Sequence, residues 1–204
     1  MFEISVDGAK ITGTSSSDTF IGTGSSVSID SGAGDDYIQL SGKKATISAG
    51  AGDDIVISEG GQSYISGGVG DDSIVHTGLL STIDGGPGND LLVQRGRNGL
   101  IRAGEGSDTV VIQNRLSLDT VEGSPNSTIV MLSSDSSVVY LYNGGADTIL
   151  GYKDSNDVII IPGSDTYVDT IMVADTISVD SDTSYTTGYS LIFQLPEEEG
   201  DDDS

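Results

Sequence analysis

The sequence predicts an all-β parallel solenoid with a coil at every eighteenth position, and three observations carry that prediction. Acids recur at that fixed interval: Asp36, Asp54, Asp72, Asp90 and Asp108. Apolar side chains keep the same interval two places later, at Phe20, Ile38, Val56, Ile74, Leu92 and Val110. A second apolar row runs nine places on, at Ile29, Ile47, Ile65, Ile83 and Ile101. Glycines form two columns ahead of the acids. Gly32, Gly50, Gly68, Gly86 and Gly104 stand four places before them, and Gly34, Gly52, Gly70, Gly88 and Gly106 two places before.

The unit is therefore a nonapeptide used twice, with one inward apolar residue in each half. That gives two short strands and two turns per coil. Coils stacked through backbone hydrogen bonds lie about 4.8 Å apart, so identical positions form ladders. The aliphatic ladders fill a thin interior, and glycine supplies the partly left-handed backbone that tight turns need. The alternate half has its own glycine column, Gly24, Gly42, Gly60, Gly78 and Gly96. Asp18 extends the acid row backward, and Asn126 continues it forward with an amide.

Composition narrows the function. Against 8 basic residues the chain has 32 acidic ones, a formal charge of −24 over 204 residues. Such a field repels nucleic acid and anionic membranes. With no cysteine, disulfides, structural zinc and thiol catalysis are excluded. Three phenylalanines, eight tyrosines and no tryptophan make a thick core hard to fill. No stretch approaches the roughly 20 apolar residues of a membrane span. The opening "MFEISVDGAK" lacks the basic and apolar segments of a cleaved secretory signal, which leaves an excised piece, a chain that stays inside, or an export address elsewhere.

The acid column needs a counter-charge. At about 4.8 Å and an effective dielectric of 20, each adjacent ionised pair repels by roughly 3.5 kcal/mol. Five in line would cancel much of a domain's stability of about 5–15 kcal/mol. Calcium, with oxygen ligands at about 2.3–2.6 Å, fits midway between stacked carboxylates, and glycine turns expose carbonyls for the remaining positions. Magnesium's shorter bonds and stricter octahedron fit less well. The competing reading is a metal-free solenoid whose Asp and Gly residues merely make good turns, but turn chemistry requires no carboxylate at one fixed place. The adjacent column, Asp35, Asp53, Asp71, Asn89 and Ser107, is less uniform and reads as solvent-facing.

"GGVGDDSIV" and "GGPGNDLLV" match G-G-x-G-x-D-x-U-x, and the chain here resembles the RTX (hemolysin-type) calcium-binding nonapeptide family. "SGAGDDYIQ", "AGAGDDIVI" and "AGEGSDTVV" match with small residues for the first glycine. The resemblance implies a right-handed parallel β-roll with calcium held between turns by the sixth-position Asp and loop carbonyls. Carried over, the ligands are Asp36, Asp54, Asp72, Asp90 and Asp108, with carbonyls from loops 31–36, 49–54, 67–72, 85–90 and 103–108. The alternate halves depart from the pattern, with Ala45, Ser63, Ser81 and Gly99 at the sixth position. Calcium is therefore expected along one edge, at about four sites between five loops. Asp18, in "GTSSSD", lacks the loop glycines and is a weaker ligand. The metal-free edge gathers Lys43, Lys44, Arg95, Arg97 and nearby Arg102, read as a solvated surface.

Four regions are expected: a lead-in strand or cap at 1–12, β-roll repeats at 13–127, a β-rich cap at 128–196 and a disordered acidic tail at 197–204. After Asn126 the interval slips. "NGGADTILGYKDSNDVIIIPG" resembles the segment closing many RTX rolls, which makes Asp147, Asp154 and Asp157 further calcium or turn-capping residues. An open solenoid end exposes strand edges, so a cap is required, and "VDTIMVADTISVDS" and "YSLIFQL" read as its antiparallel strands.

Catalysis is not expected. The single histidine, His76, shares a variable position with Leu40, Ser58 and Gln94 and reads as surface. No zincin, nucleophile-elbow, Walker or dinucleotide motif occurs, and "DSDTSYTTGYSL" lacks the glycine and closing Glu of an EF-hand. The expected function is a calcium-binding module that folds on meeting extracellular calcium, in a secreted or surface protein. The resemblance adds type I secretion through an uncleaved C-terminal address. The alternatives are an adhesin-type surface for a glycan or ice, and calcium-dependent self-assembly into a surface layer. The loop pairs Ala33/Asp35, Ala51/Asp53, Val69/Asp71, Pro87/Asn89 and Glu105/Ser107 lack the Thr/Asn array that ice would need.

Overall fold

Two aliphatic rows per repeat require two strands per coil facing one another across a shared interior, and the computed structural model has that arrangement. It describes residues 1–113 and 118–123 and, beyond them, strands within 128–131, 137–141, 148–150, 158–160, 171–174 and 188–191. In chain order the strands begin with β1 (Phe2–Ile4), β2 (Lys10–Thr14), β3 (Thr19–Gly22), β4 (Ser28–Gly32), β5 (Tyr37–Leu40) and β6 (Thr46–Ala51). Then come β7 (Ile55–Ser58), β8 (Tyr64–Val69), β9 (Ser73–His76), β10 (Thr82–Pro87), β11 (Leu91–Gln94), β12 (Leu100–Glu105) and β13 (Thr109–Ile112). The rest are β14 (Leu118–Glu122), β15 (Thr128–Met131), β16 (Ser137–Leu141), β17 (Thr148–Leu150), β18 (Val158–Ile160), β19 (Ile171–Ala174) and β20 (Gly188–Leu191).

Odd-numbered strands and β20 form one sheet, and even-numbered strands up to β18 form the other. Every pairing is parallel except β19 with β20. No helix occurs among the described residues. The register keeps the interval of the acids from Phe2↔Phe20 through Leu91↔Thr109 on one sheet and from Lys10↔Ser28 through Thr82↔Leu100 on the other, about six turns. The ladder thus reaches back to Phe2 and Ile11, within the residues expected as a lead-in. Phe2 stacks on Phe20 with ring centroids 4.6 Å apart.

The period breaks earlier than Asn126. Leu100 pairs with Thr120, two places beyond the regular interval, and Thr109 with Thr128, one place beyond it. Strand pairing fixes the stack, so added residues are taken up in turns. Asn126, Asp147, Asp154, Asp157 and the tail at 197–204 lie outside the described residues.

The core is one aliphatic ladder from each sheet. Phe20, Ile38, Val56, Ile74, Leu92 and Val110 meet Ile29, Ile47, Ile65, Ile83, Ile101 and Val121, all buried. At about 25 cal/mol per Å² of apolar surface, each such side chain contributes on the order of 2 kcal/mol on burial.

Candidate metal centre

The site begins with the turns that enter the odd-numbered strands. Gly68 and Gly70 sit at φ of +118° and +136°, where side chains are strained. A Cβ at Gly68 would also collide with the Gly50 carbonyl oxygen of the preceding coil. Glycine is required there both by conformation and by the close stacking of one turn on the next.

These turns aim the sixth-position carboxylates inward. Asp36, Asp54, Asp72, Asp90 and Asp108 are all at most 2 % exposed. Each holds the coil before it: the amides of Asp18, Asp36, Asp54, Asp72 and Asp90 donate to Oδ1 of the next Asp in the row at 2.6, 2.6, 2.8, 2.8 and 2.9 Å. The second oxygen is different. Oδ2 of Asp36, Asp54, Asp72 and Asp90 is buried with no hydrogen-bond partner. A Cβ at Gly67 would strike Asp72 Oδ2 and come within 2.7 Å of the Gly85 carbonyl oxygen. At Gly85 it would strike Asp90 Oδ2 and the Ala103 carbonyl oxygen. The absent side chain leaves a cradle bordered by one orphan carboxylate oxygen and one carbonyl of the following coil.

Burial without a partner shifts these acids. Asp54 rises from 3.8 to about 6, Asp72 to about 7 and Asp90 to about 6. Loss of solvation is the main cause, the preceding coil's amide pulls the other way, and neighbouring aspartates push up again. A buried unpaired carboxylate is costly, and its remedy is a proton or a cation. Among the described residues no three His, Asp or Glu side chains cluster as a metal group. An ion here must therefore complete its shell from backbone carbonyls. The donors are hard oxygens only, which suits calcium.

Asp18 joins the ladder through its amide, but its Oδ2 is held by the Thr14 amide and hydroxyl, both at 2.8 Å. The exposed column Asp35, Asp53, Asp71 and Asn89 forms a second ladder of opposite polarity. There each side chain accepts the amide of the following coil, at Asp53, Asp71, Asn89 and Ser107, at 2.7–3.1 Å. Sequence reading placed this column in solvent and did not see its bonds.

The opposite edge keeps the inter-coil bond, and as far as Ser81 it does so without a charge. Ala45 N donates to Ser63 Oγ at 3.2 Å, and Ser63 N to Ser81 Oγ at 3.1 Å. Gly99 N donates to Asp119 Oδ1 at 2.7 Å, with Asp119 fully buried. Sequence reading missed Asp119 because the longer step from Gly99 takes it off the regular interval. Residue sizes also exchange between the edges. Beside the Asp column the inward residues are Ser31, Ala49, Gly67, Gly85 and Ala103; beside the small turn residues they are Leu40, Ser58, His76, Gln94 and Ile112.

His76 belongs to that second row, which corrects its reading as a surface residue. It is fully buried, as are Leu40 and Ser58 on the same ladder. The position varies because any side chain that fills the volume vacated by the missing acid will serve. Burial pushes His76 down from 6.5 to about 4, opposed in part by the backbone at Ser58 and Gly78. Neither ring nitrogen reaches hydrogen-bond geometry, nor do the Ser58 hydroxyl and the Gln94 amide. Lys43, Lys44, Arg95 and Arg97 lie exposed along this edge, while Arg102 pairs with Glu122 at 2.8 Å.

The family profile described as RTX calcium-binding nonapeptide repeat matches in four copies, over residues 12–42, 46–74 and 81–93. The coils within residues 12–93 are RTX calcium-binding repeats. The matched span holds the loops ending at Asp36, Asp54, Asp72 and Asp90. No curated protein and no solved structure matches the chain. No helix among the described residues is long and apolar enough to cross a membrane.

Proposed function

We propose that the RTX roll is a calcium-dependent folding module of a secreted or cell-surface protein, structural rather than catalytic. The observation that supports it most directly is the row of buried, unpartnered Oδ2 atoms on Asp36, Asp54, Asp72 and Asp90. In this reading Asp36, Asp54, Asp72, Asp90 and Asp108 ligate calcium with carbonyls of their glycine turns, at about four sites along one edge. The 13–127 region is the calcium-binding unit and 128–196 closes its end. Asp18 is a poor ligand because Thr14 already holds its carboxylate.

Energetics support coupling of folding to calcium. Extracellular modules bind at about 10⁻⁴–10⁻³ M, and ten-fold excess over the dissociation constant contributes about 1.4 kcal/mol per site. Four sites supply roughly 6 kcal/mol, comparable to a whole domain's stability. At cytosolic calcium the sites empty, and a chain of this charge with few aromatics stays expanded. Folding then waits for export, in keeping with passage through a type I channel.

Circular dichroism during a calcium titration, reversed with EGTA, tests the proposal. The β-sheet signal should appear cooperatively near millimolar calcium and vanish with chelator. A spectrum indifferent to both overturns it.

A further inference from the structure

The aspartate edge is not uniform from coil to coil. The residue five places before each edge aspartate is Ser31, Ala49, Gly67, Gly85 and Ala103 in turn, and strand register stacks the five in one buried column. At Gly67 the Asp72 Oδ2 and the Gly85 carbonyl oxygen both lie within 2.7 Å of the point where a Cβ would stand, and at Gly85 the Asp90 Oδ2 and the Ala103 carbonyl oxygen do the same. Both carboxylate oxygens are buried and have no hydrogen-bond partner. Ala49 and Ala103 put a methyl at the corresponding point of their coils. Ser31 does more: its buried hydroxyl donates to the Ala49 carbonyl, the counterpart of the Gly85 carbonyl beside Gly67. Asp36 Oδ2 is thus unpartnered in a coil whose carbonyl is already taken.

We infer that this inward column grades the calcium sites: the coils of Gly67 and Gly85 bind calcium most tightly, through Asp72 and Asp90, and the coil of Ser31 binds it most weakly. The inference rests on the calcium reading above and orders the sites within it. Two oxygens within 2.7 Å of one point are close enough to share one ion with bonds of about 2.3–2.6 Å to each. A methyl at that point supplies no oxygen and narrows the space beside the carboxylate. A hydroxyl already bonded to the carbonyl must give up that bond or share the oxygen. The net worth of a hydrogen bond sets this cost at about three- to ten-fold in affinity. Because each coil of a solenoid contacts only its neighbours, ions held in the middle of the row order the adjoining coils first. Calcium-driven folding then spreads from Asp72 and Asp90 toward Asp36, and not from the N-terminal coil inward.

Calcium titrations of the full chain, followed by circular dichroism, read this order through the midpoint. Ser31→Gly and Ala49→Gly copy Gly67 and Gly85 on the same column, so each should lower the midpoint. Gly67→Ala and Gly85→Ala should raise it. A change of about ten-fold at one of about four coupled sites moves the midpoint by about two-fold. Glycine's greater freedom in the unfolded chain acts in the opposite sense, so a merely structural column would make Ser31→Gly demand more calcium. Crystals of the unaltered chain back-soaked in limiting calcium give the order without any variant. Anomalous peaks beside Asp72 and Asp90 should outlast the one beside Asp36. A higher midpoint for Ser31→Gly, or a peak beside Asp36 that lasts as long as the one beside Asp72, overturns the inference and leaves the calcium module standing. A chain that binds no calcium at millimolar concentration overturns both.

Discussion

Protons should replace calcium in this roll, and the size of the effect follows from three buried acids. Asp54, Asp72 and Asp90 have folded-state values of about 6, 7 and 6 against an ordinary 3.8. A raised carboxyl favours the fold fully below 3.8, and that contribution is lost as pH rises through 6 to 7. In EGTA, going from pH 8 to pH 5 should therefore stabilise the chelated fold by roughly 5 kcal/mol through these three groups. His76, lowered from 6.5 to about 4, acts in the opposite sense: its contribution is complete above 6.5 and declines as pH falls. At pH 5 it removes about 2 kcal/mol, leaving a net gain of about 3 kcal/mol. Circular dichroism in EGTA at both pH values reads the difference, the β-sheet signal lost to chelator at pH 8 returning in part at pH 5. Stability in EGTA that is equal at both pH values, or greater at pH 8, refutes the reasoning.

Other consequences are as direct. Asp72→Asn should leave more β-sheet signal in EGTA at pH 8 and raise the calcium needed for the full signal, a reversal of sign that circular dichroism with and without calcium detects. His76→Leu, which copies Leu40 on the same ladder, should raise stability at pH 5 by about 2 kcal/mol and leave pH 8 nearly unchanged. Gly68→Ala should cost about 2 kcal/mol or more, because its Cβ meets the Gly50 backbone at a φ of +118°, and Gly67→Ala should also destabilise the calcium form, since its Cβ strikes Asp72 Oδ2 and comes within 2.7 Å of the Gly85 carbonyl oxygen. Thermal melts in calcium compare the two. Leu80 is exposed at a φ of +57°, so Leu80→Gly should raise stability by about 1 kcal/mol in the same assay.

The fold was legible wherever a residue type obeyed the interval. Ile47, Ile65, Ile83 and Ile101 repeat one aliphatic side chain coil after coil, and parallel pairing places each over the last. Asp54 and Asp72 were legible for the same reason. What the interval hides is any ladder position where several side chains serve equally. His76 was misread because its row was judged by identity, when its only constraint is volume. The left-handed residues of the alternate turn, Ser26, Lys44, Gln62, Leu80 and Asn98, share a φ of 57–61° without a shared residue type, so no letter announces them. Asp119 was lost to a small shift in the register, which strand pairing absorbs and counting does not. Which carboxylate oxygen is bonded and which is orphaned depends on turn geometry, and no spacing encodes it.

The central claim is that divalent ions join successive coils along the aspartate edge. An anomalous difference map from crystals grown in millimolar calcium tests it most directly. The account predicts a row of peaks about 4.8 Å apart beside Asp36, Asp54, Asp72, Asp90 and Asp108, and none beside Ala45, Ser63, Ser81 and Gly99. Featureless density along the aspartates, or peaks on both edges alike, would contradict it.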